Sequence, residues 1–242
     1  MKKIWLMWFV FALIYAVPAR TQTTAEKKWS DFASQNDSHW KEFLEWKADA
    51  KNDVVIFAPD SNRALFAMYE GDIEPGSMLA SFILHSGGMI VDHGWIRVLG
   101  SGCTDFMRGL KDWNRGKNKQ SKDGSYYLLV ADDVVGGFFG IKMSPNASLD
   151  KAKVWYLGAN NLEWVNTGID YPNFLKFCLV GDMSGFYYDY RWDGWEEEVS
   201  RFSQRHTIGC YPELWTKDTK VLEANRKVLD VATLWNKYQT KK

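Results

Sequence analysis

Cysteine, histidine and proline are scarce in this chain, and net charge is absent. Beyond the first twenty residues no apolar run approaches the length of a membrane span. Each shortage excludes something. Three cysteines, Cys103, Cys178 and Cys210, allow at most one internal bridge, so the fold is no disulfide scaffold. Cys103 and Cys210 stand beside glycines in loop-like sequence and are the pair to expect. Cys178 falls in an apolar helical stretch, where an inert buried thiol is expected. Neither the cysteines nor the four histidines show zinc-ligand spacing, and no metal site is expected. Lysine and arginine number 30 against 30 aspartates and glutamates, which argues against a nucleic-acid partner.

What is present begins at the N-terminus. Lys2 and Lys3 are followed by an uncharged apolar run from Ile4 to Val17. Pro18-Ala19 then offers a small-residue cleavage point, with Val17 and Ala19 where a signal peptidase reads. Residues 1–19 are therefore expected to be a secretory signal peptide, 20–35 a polar leader, and 36–242 a single domain. The expected destination is the periplasm or the exterior, with no transmembrane segment after cleavage. Cleavage removes Lys2 and Lys3 and no acid, leaving 28 basic residues against 30 acidic ones. The compositional excess is tryptophan, thirteen in all. Indoles fill cores, but their N–H groups need partners, so some should line a partly wet surface.

Spacing suggests how the chain is built. "HWKEFLEWKADAKN" has helical periodicity with a cap among residues 36–38, and "VVIFAP" reads as a short strand stopped by Pro59. "EPGSMLASFILHSGG" reads as a helix capped by Ser77 and ended by Gly87-Gly88. Strands "MIV" and "WIRVL" follow, then a helix "TDFMRGLKDWN" capped by Thr104. "YYLLVA", "GFFGIKM" and "KVWYL" have the spacing of an antiparallel meander. "YPNFLKFCLVGD" returns to helix, with Pro172 in its first turn and Gly181 at its stop. "FYYDYRWDGWEEEVSRF" reads as two helical pieces broken at Asp193-Gly194. Val221, Ala224, Val228, Val231, Trp235 and Tyr238 form one stripe, which predicts a long C-terminal amphipathic helix. The class is α+β, a central antiparallel sheet flanked by helices.

Two stretches are candidates for chemistry. In "IVDHGWIRVLGSGC", residues 90–103, "GSGC" has two glycines but neither a P-loop lysine nor a complete dinucleotide fingerprint, so no cofactor is expected. Asp105 also sets a negative charge where a phosphate would sit. Asp92 beside His93 could orient an imidazole for acid–base work, yet D-H-G-W is also good turn material. The second stretch is "YRWDGWEEEV". Arg191, Trp192 and Trp195, together with Trp95 and Arg97, could form an aromatic shelf with charged donors. Glu196, Glu197 and Glu198 fan around a helix and cannot all face one substrate, and a structural corner packed by tryptophans is the preferred reading of this stretch.

"GGMIVDHGWIRVLGSG", "GGFFGI", "WYLGANNLEWVNTGIDYPNFLKFCLVGD" and "FYYDYRWDGWEEEV", in that order, resemble the bacterial family called domain of unknown function 2625. The resemblance covers roughly residues 36–215 and implies no reaction and no catalytic residue. "GGFFGI" after the acidic pair Asp132-Asp133 is more distantly similar to the SUKH superfamily, which includes toxin-immunity proteins. That similarity implies a cytoplasmic role, against which the export signal stands. The expectation is an exported binding module of the cell envelope, its partner a protein or an envelope glycan. The alternative is an envelope hydrolase using Asp92 and His93, or a carboxylate near Glu196. An immunity protein is the third reading.

Overall fold

The computed structural model describes residues 37–241, apart from positions 72, 74, 146–147, 150 and 217–218 and the side chains of residues 69–71. The predicted signal peptide and polar leader lie outside the described residues.

Seven strands form one antiparallel sheet in which spatial order equals chain order. They are β1 (Val54–Phe57), β2 (Gly88–Val91), β3 (Ile96–Leu99), β4 (Tyr126–Asp133), β5 (Phe138–Met143), β6 (Lys153–Leu157) and β7 (Trp164–Asp170). The meander read from three strands thus extends across the sheet. Connections are tight wherever turn residues allow; β2 and β3 pair up to Val91 and Ile96, which leaves only Asp92 to Trp95 to reverse the chain.

Helices α1 (Ser38–Ala48), α2 (Ser61–Gly71), α3 (Met78–His85) and α5 (Tyr171–Val180) pack together, and α5 also lies on β6 and β7. Phe139 of β5 meets Phe174 of α5 at 4.9 Å, which fixes this helix to one face of the sheet. Phe138, pointing the other way, meets Trp235 and Tyr238 of α8 (Val231–Gln239) at 4.9 and 5.9 Å. Between them, β8 (His206–Tyr211) and β9 (Asn225–Asp230) form a separate two-stranded ribbon. The backbone N–H of Ile208 and the Thr207 hydroxyl both donate to the Val134 carbonyl, docking that ribbon on the β4–β5 turn. Three short helices complete the described residues: α4 (Leu110–Asn114), α6 (Met183–Phe186) and α7 (Trp195–Ser200).

Local signals explain most boundaries. Asp37 caps α1, Ser77 caps α3, and Asp170 caps α5 with Pro172 in its first turn. Gly194 has φ 77° and separates α6 from α7, the break expected at Asp193-Gly194. Three expectations change. Helix α4 starts only at Leu110, behind Gly109, because residues 103–109 are instead drawn across the sheet end by Phe106, buried 5.4 Å from Phe57. The C-terminal helix is present but short, because residues 225–230 pair with β8 and Asp230 caps a helix that begins after them. Helix α2 was not anticipated, although Asp60 accepts from the N–H groups of Asn62 and Arg63 in ordinary capping fashion.

Candidate functional site

Asp92, His93 and Gly94 have φ values of 54°, 57° and 103°, three left-handed residues in a row. The Trp95 N–H donates to the Asp92 carbonyl at 3.0 Å, so His93 and Gly94 are the central pair of a tight hairpin turn with both φ positive. Aspartate and histidine tolerate that region better than most residues, and glycine needs no tolerance. The turn parts the acid from the base. The Asp92 carboxylate accepts from Arg191 Nη2, while His93 Nδ1 lies 3.6 Å from Asp53, beyond hydrogen-bond reach.

Arg191 is the hub of an aromatic cluster. Its guanidinium lies 4.2 Å from the Trp195 ring centroid, 5.0 Å from that of Trp95 and 5.8 Å from that of Tyr187. Trp95 in turn touches Trp195, Tyr187 and Trp192 at 4.9, 5.3 and 5.7 Å, and His93 sets its ring edge-on to Trp195 at 6.0 Å. The structure therefore gathers Asp92, His93, Trp95, Arg191, Trp192 and Trp195 in one place. It packs them as a corner of the core: Trp95 and Trp192 are buried, and only His93 is largely exposed. Trp192 Nε1 donates to Glu198 at 2.8 Å, and Arg226 covers the same ring at 4.4 Å. Glu198 is thus the member of the acidic run that reaches the cluster, and Glu196 stays exposed outside it.

Arg97 belongs elsewhere. It faces Asp132 across the β3–β4 pairing, with Nε 2.7 Å from Oδ1 and Nη2 3.1 Å from the Asp133 carbonyl. Arg108 reaches the other Asp132 oxygen through Nη1 at 2.5 Å. All three side chains are buried, two cations on one carboxylate. Asp133 turns aside. It accepts from Val135 and Gly137 N–H at 3.0 and 2.7 Å and from Tyr156 and Tyr187 hydroxyls at 2.7 and 3.1 Å. Burial pushes its pKa up, opposed by those hydrogen bonds and by Arg97. Gly137 has to be glycine, because a Cβ there would lie 2.2 Å from the Tyr156 oxygen. The "DD…GG" pattern is the bonding of the β4–β5 turn.

The family model described as protein of unknown function DUF2625 matches residues 29–234. The chain belongs to this family. An uncharacterised protein of Haemophilus influenzae is 30% identical over 199 residues, covering 82% of this chain and 86% of its own. The putative uncharacterised protein YbfG of Escherichia coli K12 is 28% identical over 216 residues, covering 89% of this chain and 97% of its own.

Cys103, Cys178 and Cys210 are free and buried, so the expected Cys103–Cys210 bridge is not formed. Cys103 packs against Gly87 beside the large sheet, whereas Cys210 sits in β8 of the separate ribbon. Burial holds the Cys210 thiol up at about 11. Among the described residues, no group of three or more histidines, cysteines or acids could hold a metal. No helix among them is long and apolar enough to cross a membrane.

Sequence reasoning missed a second aromatic group. Register places Tyr127 opposite Lys142, Gly140 opposite Trp155, and Leu157 opposite Trp164, and two-residue steps along β5 and β6 bring all of these to one face. Tyr127 stacks on Trp164 at 4.0 Å and meets Trp155 edge-on at 5.9 Å, while Lys142 Nζ lies 5.0 Å from the Trp155 ring. Helix α8 covers the Phe138 end of this face, but Tyr127, Lys142, Trp155 and Trp164 are only half-buried. A visible signal was the alternation Lys153, Trp155, Leu157 on β6, which sets an aromatic beside the short Gly140 of the next strand.

The turn geometry makes a direct prediction. His93→Ala costs about 0.5 kcal/mol or less, as expected of a surface change away from any hydrogen bond. Gly94→Val costs about 2 kcal/mol, since a β-branched residue is forced to positive φ. Urea unfolding of both variants checks this; a His93→Ala loss as large as that of Gly94→Val would show that the imidazole holds a bond the geometry does not provide.

Proposed function

We propose that this chain is an exported, non-enzymatic binding module of the cell envelope, with a glycan as its ligand. The observation that carries this reading is the half-buried Tyr127–Trp155–Trp164 group with Lys142 beside it, on the part of the sheet face that α8 leaves uncovered. The C–H faces of a sugar ring stack on the electron-rich faces of aromatic rings, and a nearby ammonium serves hydroxyl or acetamido oxygens. The side chains that would have carried acid–base chemistry support it from the other side: Asp92 is bound to Arg191, and among the described residues His93 has no carboxylate within hydrogen-bond distance, Asp53 lying 3.6 Å away. The N-terminal charge and apolar pattern supports export.

The test uses chain purified from the envelope of the native host. N-terminal sequencing should find a start near Arg20. A start at Met1 in the cytoplasm would remove the export claim and return the immunity reading. Titration with soluble peptidoglycan fragments should change indole fluorescence, and Trp155→Ala should weaken binding about tenfold or more, as loss of a central aromatic anchor does. Mass spectrometry should recover the fragments unaltered. A product whose formation is lost in Glu196→Gln or His93→Ala, with folding intact, would make the protein a hydrolase instead.

A further inference from the structure

A strip of the surface is both basic and apolar. Residues 107–122 hold six cations and a single acid, Asp112. Arg108 is turned inward onto Asp132, and the Lys117 ammonium lies 4.2 Å from the Trp113 ring. Arg115, Lys119 and Lys122 are exposed and Lys111 is half-buried. An open groove of about 420 Å³ is lined by Lys111, Arg115 and Lys119, together with Asn118 and the apolar Leu110 and Leu128.

Helix α2 borders this strip. Arg63 and Phe66 are one turn apart on it and share a face. Arg63 Nη2 donates to the Met107 carbonyl at 3.2 Å and to Asp112 at 3.3 Å, and Lys111 Nζ lies 3.5 Å from the Phe66 ring centroid. Phe66 and Met107 therefore stand among the cations, and they are 51% and 60% exposed. Acids stand nearby as well. Asp112 is shared between Arg63 and Arg115, Asp60 caps α2, Asp123 accepts from Ser125, and Asp105 precedes Met107 by two residues. Leaving Arg108 in its interior cluster aside, residues 60–63 and 105–123 hold six cations against those four acids. None of the four lines the groove.

We propose that this strip docks on the surface of an anionic phospholipid bilayer. Arg115 and Lys119 meet lipid phosphates, and the Phe66 and Met107 side chains enter the headgroup layer. Cations near an anionic membrane supply attraction, and exposed apolar side chains supply insertion. The apolar pair separates this occupant from a soluble polyanion, which would satisfy the cations but give Phe66 and Met107 nothing to enter. No residue of the strip belongs to the Tyr127–Trp155–Trp164 group, and the inference does not rest on that group binding a glycan.

The test is cosedimentation with vesicles of phosphatidylcholine alone and of phosphatidylcholine mixed with phosphatidylglycerol. The chain used begins at Arg20, which keeps the whole family-matched region and omits the apolar run from Ile4 to Val17. It should sediment with the mixed vesicles, stay in solution with phosphatidylcholine alone, and be released by high salt, which screens exposed charges. Lys119→Glu should lower the partition coefficient about twentyfold, because each charge near an anionic surface changes it about fivefold and the reversal changes two. Phe66→Ser should lower it about tenfold, the loss of one partly inserted ring. Lys227→Glu on β9 and Val165→Ser on β7, exposed positions elsewhere, should each change it less than about twofold. Circular dichroism checks that every variant is folded. The proposal falls if the parent does not sediment with the mixed vesicles, if it binds phosphatidylcholine alone as tightly, or if Lys227→Glu is as damaging as Lys119→Glu. It falls too if Phe66→Ser binds as tightly as the parent, which would leave a site for soluble polyanions instead.

Discussion

Asp132→Ala should destabilise the protein by about 3–5 kcal/mol, because it strips the counter-ion from two buried guanidiniums at once. A typical domain holds only about 5–15 kcal/mol in reserve, so this variant is expected to be partly unfolded or insoluble at 37 °C. The reason is asymmetry. While Asp132 is present, Arg97 and Arg108 each donate to it and repel each other across a neutralising carboxylate. Without it, two like charges face each other in a setting that water does not reach. The control is Glu197→Ala, which removes the carboxylate from Arg201 at the surface. Both of those side chains are more than two-thirds exposed, 77% and 71%, and the change should be worth about 0.5 kcal/mol or less. Urea unfolding monitored by tryptophan fluorescence measures both. If Asp132→Ala falls within about 1 kcal/mol of the control, the charges are not bearing on each other as the geometry requires.

That pair also shows how far the sequence could be read. The sequence offers Arg97 as a charged donor of an aromatic shelf, and Asp132-Asp133 as an acidic pair before a glycine strand. Their meeting depends on the β3–β4 register, which sets Arg97 opposite Asp132. No local pattern encodes a register between segments 35 residues apart. Arg108 was harder still, because it lies in an irregular stretch whose course is decided by Phe106 entering the core. Asp92 and His93 stand in one candidate stretch and Arg191, Trp192 and Trp195 in another, and the structure gathers both in one place. A corner packed by tryptophans is the reading preferred from the sequence, and Trp95 and Trp192 are buried in one; which rings are buried was not legible, since tryptophan with arginine has the same composition in a wet groove. The class and the meander were legible because alternation and turn residues are local. The C-terminal strand was not, because Val221, Ala224, Val228 and Val231 satisfy helical spacing while Val228 in fact stands 48% exposed on a strand.

Gly100→Ala should cost about 3 kcal/mol or more, and it bears on what the glycines of "GSGC" are for. A Cβ on Gly100 would lie 2.4 Å from the Ser86 carbonyl oxygen, 2.6 Å from the Gly88 nitrogen and 2.7 Å from the Gly87 carbonyl carbon. All are backbone atoms, and they are pinned. Ser101 N–H donates to Ser86 at 3.0 Å, Gly102 N–H to Gly87 at 2.8 Å, and Leu110 N–H to Gly100 at 2.8 Å. No side chain can rotate away to make room, so the β2–β3 pairing or the entry into α4 has to open. Gly116→Ala is the comparison. Gly116 has φ 73° with nothing within 4 Å of its Cβ position, so only backbone strain is charged there, about 1–2 kcal/mol. A phosphate-cradling loop would need its N–H groups free to face an anion. Here Ser101 and Gly102 spend theirs on the chain itself. The expected ranking in urea unfolding is Gly100→Ala well below Gly116→Ala. A reversed order, or a gain in stability from inorganic phosphate that Gly100→Ala abolishes while still folded, would restore the loop as an anion site.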